Sequence, residues 1–314
     1  MKIIPFETIK GLDIAPAQCV EWVKESFNIQ QECILPAKIS MHLENNIFFN
    51  TMPCVISPLN KMGVKLVSRY PLREPSLNSE LLLYEASSGK LLALMDAEWI
   101  TAMRTGAVAA TAIQMLQKST AHTYAFVGLG NTARATLLCL LGIIGKRSIT
   151  VKLLNYKDQA ELFKSYFEDY SNITFTIVKT SQEFIERSDV IVSCVTAKDD
   201  LMGKNEWFEE GVLVVPVHTR GFQNCDLFFD KIFVDDSKHV EGFKNYSQFK
   251  YKEELANVLK GIDPGRINNK ERILAYNIGI SIHDIYFATQ IYGRLEKSVL
   301  PEISLRQEMN KFWV

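Results

Sequence analysis

The chain has 314 residues, with 35 Lys and Arg against 36 Asp and Glu, for a formal net charge of -1. That balance excludes the basic footprint of a nucleic-acid binder, and 47% hydrophobic residues exclude a disordered chain. No apolar run reaches the roughly 18 residues of a membrane span; residues 135–145 come nearest, and the N-terminus lacks a secretory apolar stretch. A soluble cytoplasmic protein of about two domains is expected.

Six cysteines, at 19, 33, 54, 139, 194 and 225, form no CxxC pair. They read as buried thiols of a reducing compartment. The five histidines, at 42, 122, 218, 239 and 283, show no metal-ligand spacing, so no metal is expected.

Taken in chain order, residues 16–27 read as a helix on the outside of an N-terminal sheet. Its strands are expected to be antiparallel. Residues 34–43 and 47–56 flank a turn at Glu44-Asn45-Asn46, and 63–70 is a third strand. Residues 80–86 and 90–95 flank Ser87-Ser88-Gly89 as a hairpin, with Pro71, Pro75 and Asn78 marking the loop before it. A long Ala- and Met-rich helix is expected at 97–117, with Asp96 capping its first turn. After residue 120 the texture changes. Apolar strand cores at 123–127, 149–154, 174–178, 190–195, 212–217 and 232–234 alternate at first with helical stretches at 132–141, 158–170 and 181–187. Strands that read as continuous apolar runs, alternating with helices, point to a doubly wound parallel sheet. Residues 271–297 read as a closing helix.

The first strand of this second half runs into Val127-Gly128-Leu129-Gly130-Asn131-Thr132-Ala133, a GxGxxA turn between strand and helix. Gly128 permits the tight turn, Gly130 lets a pyrophosphate approach the backbone, and Ala133 allows close helix–strand packing. Asn131 and Thr132 open the helix, whose unpaired amides suit phosphate. The second strand ends at Asn155-Tyr156-Lys157, where an acidic residue would accept the ribose hydroxyl of NAD. Asn155 does not repel a 2′-phosphate and Lys157 could pair with one, so the residues favour NADP while leaving NAD open.

Four segments carry a resemblance. Leu91-Leu92-Ala93-Leu94-Met95-Asp96 leads into Ile100-Thr101-Ala102-Met103-Arg104-Thr105-Gly106-Ala107. Gly63-Val64-Lys65-Leu66-Val67-Ser68-Arg69-Tyr70-Pro71 precedes it. The GLGNTA turn follows, then Gly265-Arg266 and Gly279-Ile280-Ser281-Ile282-His283-Asp284. In order and spacing these resemble the ornithine cyclodeaminase/mu-crystallin family, with Thr132 where that family usually has Gln.

The resemblance implies a Rossmann-type doubly wound domain at 119–283. It implies an α+β substrate-binding and dimerisation domain at 1–118, rejoined by about 284–314, with a mainly antiparallel sheet. It also implies a homodimer built by the N-terminal sheets, with the active site in the cleft between domains. The implied activity is that of an NAD(P)-dependent oxidoreductase on the C–N bond of an amino or imino acid, either an amino-acid dehydrogenase or a cyclic imine reductase. The alternatives are an ornithine-type cyclodeaminase and a non-catalytic, NADP-dependent ligand-binding protein like mu-crystallin.

Site residues follow by the same route. Arg104 matches the arginine that holds the substrate carboxylate, a role suited to its planar fork. Its spacing with Thr101, Thr105 and Val108 puts these residues on one helical face. Lys65 matches the active-site lysine, which either moves a proton on the substrate nitrogen or pairs with the carboxylate. Lys38 stands where many relatives carry a basic carboxylate partner, and Thr196 lies at a carboxyl strand end, where ligands bind. The sequence departs from the family at Val217-His218-Thr219-Arg220-Gly221. Arg220 takes the place of an Asp that serves ring closure in the cyclodeaminases. A guanidinium stays protonated and cannot be a general base. Arg220, with His218, is therefore expected to bind an additional acidic group, favouring a dicarboxylic or conjugated substrate.

Overall fold

The computed structural model describes residues 1–195, 203–217 and 221–305. In chain order the elements begin with β1 (Lys2–Ile4), α1 (Phe6–Lys10), α2 (Pro16–Asn28), β2 (Cys33–Ile34), β3 (Ile39–His42), β4 (Phe48–Ile56), β5 (Lys61–Arg69), β6 (Leu77–Glu85), β7 (Leu91–Asp96) and α3 (Glu98–Leu116). Strand and helix then alternate through β8 (Thr123–Val127), α4 (Asn131–Ile144), β9 (Ile149–Leu154), α5 (Gln159–Ser165), β10 (Ile173–Val178), α6 (Ser181–Ile185) and β11 (Val190–Ser193). The last elements are β12 (Leu213–Pro216), β13 (Lys231–Val234), β14 (Lys252–Glu254), α7 (Leu255–Leu259), β15 (Ile273–Tyr276) and α8 (Ser281–Leu295). No helix among the described residues is long and apolar enough to cross a membrane.

The chain divides into two units. The first comprises Met1–Asp13, Glu32–Thr101 and the chain from Asp284; the second comprises Ile14–Gln31 and Ala102–His283. In the first, seven strands form one sheet in the order β1-β7-β6-β5-β4-β2, with β3 also on β4. Only the β1–β7 pair is parallel. The strand expected at 34–43 is two short ones, because Pro36 lacks the amide that would continue the ladder. Lys65 sits at the middle of β5, in register with Met52 on β4 and Leu81 on β6. Alternation puts these three on one face, and Met52, Leu81, Leu83, Ala93 and Met95 are buried there.

Helix α8 lies on that face. A side chain at Gly63 would come within 2.7 Å of Ile285 Cδ1 and 2.5 Å of Leu82 O, so glycine admits the helix. At the far end, Lys2 Nζ donates to the carbonyls of Leu295, Glu296 and Ser298 at 3.2, 2.7 and 2.8 Å. A cation there satisfies the last carbonyls of the helix and complements its dipole.

The second unit holds an eight-stranded, wholly parallel sheet in the order β10-β9-β8-β11-β12-β15-β13-β14. The apolar strands of the sequence are its centre. β8, β11 and β12 are buried at every position, as a sheet covered on both faces requires. Phe126 meets Phe163 of α5 on one face. Ala125, Val127, Ile191, Val214 and Tyr276 pack with Phe184 and Phe222 on the other.

Two expectations need correction. Helix α2 does not cover the N-terminal sheet. Its buried face, with Cys19, Val20, Trp22, Val23 and Phe27, packs on α4 and α7 of the second unit. A side chain at Gly142 of α4 would stand 2.9 Å from Ala17 N, so the two helices meet at backbone distance. The closing helix does not begin at 271, because Ile273–Tyr276 is the strand β15 between β12 and β13. Gly279, at φ 87°, turns the chain from that strand into α8. By its contacts the chain divides after Thr101, within α3. The reason is Gly106, where a side chain would lie 2.6 Å from Thr136 N, so this part of α3 crosses α4 at close range.

Candidate functional site

In the second unit the glycine turn stands at the carboxyl end of β8. Gly128 has φ 75°, and a side chain there would strike Cys194 and Val195 at 2.6 Å. Gly130 differs: nothing lies within 4 Å of where its Cβ would be. It faces an open cradle that any side chain would fill. The first helical hydrogen bond of α4 runs from Arg134 N–H to Gly130 O at 3.1 Å. The amides of Asn131, Thr132 and Ala133 therefore precede the helical ladder at a positive helix end. No acidic side chain occupies this first turn, and Ala133 is fully buried against the sheet. The arrangement fits a pyrophosphate.

Beside it, β9 ends and the chain passes through Asn155, Tyr156 and Lys157, all exposed. Lys157 adopts φ 53°, and its ammonium lies 5.4 Å from the centre of the Tyr156 ring. Arg134 lies across Tyr166, its guanidinium carbon 3.8 Å from the ring centre. The sequence reading did not single out Arg134.

Helix α3 begins as expected, with Asp96 Oδ1 accepting from Glu98 N–H at 2.9 Å. Arg104 is only 1% exposed, so its guanidinium lies in the interior and not on an open face. At the other end of α3, Arg266 Nε donates to Leu116 O and its Nη1 to Glu271 O, both at 2.5 Å. The Gly265-Arg266 pair thus closes a helix end.

In the first unit, Lys65 Nζ donates to Asp284 Oδ1 at 2.7 Å, and both side chains are 0% exposed. Asp284 sits in the first turn of α8, where the helix dipole favours a carboxylate. The pair places one positive and one negative charge inside an apolar layer, each the counter-ion of the other. The sequence analysis quoted Asp284 as part of a motif and did not assign it this role. The available signal was a single acid inside the apolar run 278–287. Lys38 is half-buried between β2 and β3 in the same unit.

The residue before Asp284 is also fixed. His283 is fully buried in the second unit, with its Nδ1 2.7 Å from Ser26 Oγ. Ser26 Oγ donates its proton to Val23 O at 2.7 Å. It can therefore only accept from His283, which places the imidazole proton on Nδ1.

Thr196, His218 and Arg220 lie outside the described residues. Three cysteine thiols are pushed upward by their surroundings. Burial, with Cys33 and Asp284 nearby, pushes the Cys54 thiol far up. Burial and the neighbouring Glu32 raise Cys33 to about 11, and burial raises Cys194 to about 12.

A cleft of about 750 Å³ lies at the opposite, amino ends of the strands, lined by Lys118, His122, Arg187, Asp189 and Arg272. Lys118 and Asp189 of this lining form an ion pair at 2.7 Å. Parallel sheets bind ligands at their carboxyl ends, so this cleft is not the candidate site.

A family model, that of the ornithine cyclodeaminase/mu-crystallin family, matches residues 7–299. The nodulation efficiency protein NfeD of Rhizobium meliloti is 25% identical over 281 residues, covering 83% of this chain and 84% of that one. The alanine dehydrogenase of Archaeoglobus fulgidus is 25% identical over 326 residues, covering 95% and 96%. The solved structure of Thermococcus litoralis Δ1-pyrroline-2-carboxylate reductase in complex with NADH and L-proline superposes with a TM-score of 0.84 at 24% identity, covering 96% of this chain and 100% of that one.

Proposed function

The chain belongs to the ornithine cyclodeaminase/mu-crystallin family, and from that premise we propose that it is an NAD(P)-dependent oxidoreductase acting on the C–N bond of an amino or imino acid. The names of its relatives, an alanine dehydrogenase and a pyrroline-2-carboxylate reductase, support this class. The observation that carries it to this chain is the buried Lys65–Asp284 pair. An ammonium paired with a carboxylate inside an apolar layer is an arrangement for handling charge and protons away from water.

Each residue has a task in this reading. Gly128, Gly130, Asn131, Thr132 and Ala133 hold the pyrophosphate, and Asn155, Lys157 and Thr196 contact the rest of the dinucleotide. When bound, the nicotinamide supplies hydride exchange at the substrate Cα. Arg104 grips the substrate carboxylate, with Lys38 as a second cation. Lys65 gives a proton to the substrate nitrogen as the imine is reduced, or takes one back in the reverse direction. Asp284 holds the Lys65 ammonium in place. His218 and Arg220 receive a further acidic group, which makes a dicarboxylic or conjugated amino acid the preferred substrate.

The test follows nicotinamide absorbance with a panel of amino and imino acids. Net oxidation or reduction of the cofactor supports the proposal. Ammonia release without net redox change would make the chain a cyclodeaminase. Tight ligand binding without turnover would make it a binding protein.

We also propose a homodimer. The outward face of the seven-stranded sheet carries Pro53, Val55, Val64, Leu66, Leu82 and Leu94, all half-buried. The edge strand β3 exposes Ile39 and Met41. Such an apolar face suits a second copy. Light scattering should give twice the chain mass, and Leu66→Lys should reduce it to one; a wild-type monomer would refute this.

A further inference from the structure

We propose that the cleft of about 750 Å³ at the amino ends of the parallel strands is a second binding site, built for a free zwitterionic α-amino acid with an aliphatic side chain. It lies wholly in the second unit. The glycine turn stands at the other end of β8, so a ligand held in the cleft stays out of the reaction.

The charges of the lining carry the argument. Lys118, Arg187 and Arg272 face Asp189, Glu206, Glu209 and Glu210 across it. Lys118 and Asp189 neutralise each other at 2.7 Å. Asp189 Oδ2 also accepts from the His122 and Thr123 N–H groups at 2.8 and 2.9 Å, so this pair belongs to the framework. Two guanidinium groups and three carboxylates remain. Among the described residues none of them has an ion-pair partner. Opposite charges that share a cleft without meeting leave room for a ligand that carries both. Arg272 is braced for this task. Its backbone N–H donates to Asp230 Oδ2 at 2.7 Å and its Nε to Phe208 O at 3.2 Å. Its guanidinium carbon lies 5.1 Å from the centre of the Phe228 ring. The two terminal nitrogens have no hydrogen-bond partner among the described residues, and such a pair suits a carboxylate bidentately. Arg187, exposed between α6 and β11, supplies a second cation. The three glutamates, also exposed, supply acceptors for an ammonium. Buried Phe208 gives the lining its apolar part, which suits an aliphatic side chain. A polyanion would meet three carboxylates here, and a polyamine two guanidinium groups, so neither fits as a zwitterion does.

The experiment is titration calorimetry of the full chain with L-leucine and with two compounds that each lack one of its charges, 4-methylpentanoate and 3-methylbutylamine. L-leucine should bind with a Kd below about 1 mM and at least about tenfold tighter than either, the yield of one charge-assisted hydrogen bond. L-glutamate, with one more carboxylate to place among three, should bind more weakly than L-leucine. Arg187→Ala should weaken L-leucine at least about tenfold, and so should the triple variant Glu206→Gln/Glu209→Gln/Glu210→Gln. All four side chains are exposed, so both variants should keep the wild-type melting temperature. No binding of L-leucine by calorimetry or ligand-observed NMR up to about 10 mM would overturn the site. An amine or acid that binds as tightly as L-leucine would overturn the zwitterion, and so would tighter binding of L-glutamate. L-leucine binding that both variants leave unchanged would place the ligand elsewhere in the protein and overturn the proposal as well.

Discussion

Replacing Asp284 by Asn removes one charge from the buried pair and leaves the shape nearly unchanged. The 2.7 Å contact has no solvent on either side. Met52, Leu81 and Met95 are apolar side chains buried on the same face. Breaking a buried pair by removing one partner costs about 3–5 kcal/mol. Urea unfolding should therefore show Asp284→Asn less stable by that amount, and Lys65→Met should lose a similar amount by stranding the carboxylate. The double variant Lys65→Met/Asp284→Leu should recover most of the loss, because an apolar replacement of both partners is often neutral or better. Turnover should be lost in the double variant although it is folded, and reduced in Asp284→Asn with dinucleotide affinity unchanged. The reasoning fails if Asp284→Asn costs less than about 1 kcal/mol. It fails equally if the double variant is no more stable than either single one, since the charges would then not be balancing each other.

Two glycines near the cofactor turn should behave in opposite ways. Gly130→Val meets open space and should keep its melting temperature while dinucleotide affinity falls at least about tenfold. Gly106→Ala drives a methyl into the α4 backbone and should lose about 1–3 kcal/mol in thermal unfolding. For pH, burial alone would raise the Asp189 carboxyl. Hydrogen bonds from His122 N–H, Lys118 and Thr123 N–H, with the Lys118 charge, outweigh it and hold the group below the usual range. A depressed carboxyl contributes stability above its unfolded pKa of about 3.9 and loses it as pH falls through the lower folded value. Acid unfolding should steepen below about pH 4, and Asp189→Asn should lower stability at neutral pH and flatten that limb. Arg220→Ala should weaken turnover of dicarboxylic substrates more than monocarboxylic ones in steady-state assays; an equal loss on both would remove the second-acid role.

The parallel sheet was legible because its central strands β8, β11 and β12 are apolar without alternation, and β8 and β9 run over the residues their apolar cores mark. The glycine turn was legible because each small residue has a steric reason. What stayed hidden was non-local. The apolar face of α2 does not say which surface it meets, and α4 competed with the N-terminal sheet for it. Residues 273–276 are a short apolar run that suits strand or helix alike, and only their place between β12 and β13 decides. Lys65 stood out as a lysine between apolar neighbours. Its partner lies 219 residues away on another element, and no local pattern links them.

That distance has a bearing on how the protein is made. Asp284 leaves the ribosome only after the whole eight-stranded sheet has been synthesised. Until then β5 carries an ammonium on the face it must bury, without Asp284 and with the layer over Gly63 missing. Sealing the first sheet is thus deferred to the end of translation, a long-range closure that folds slowly by nature. A chain truncated before α8 would keep its lysine in water. The residue assigned to proton transfer would then exist in its dry setting only in molecules whose translation had reached the last helix.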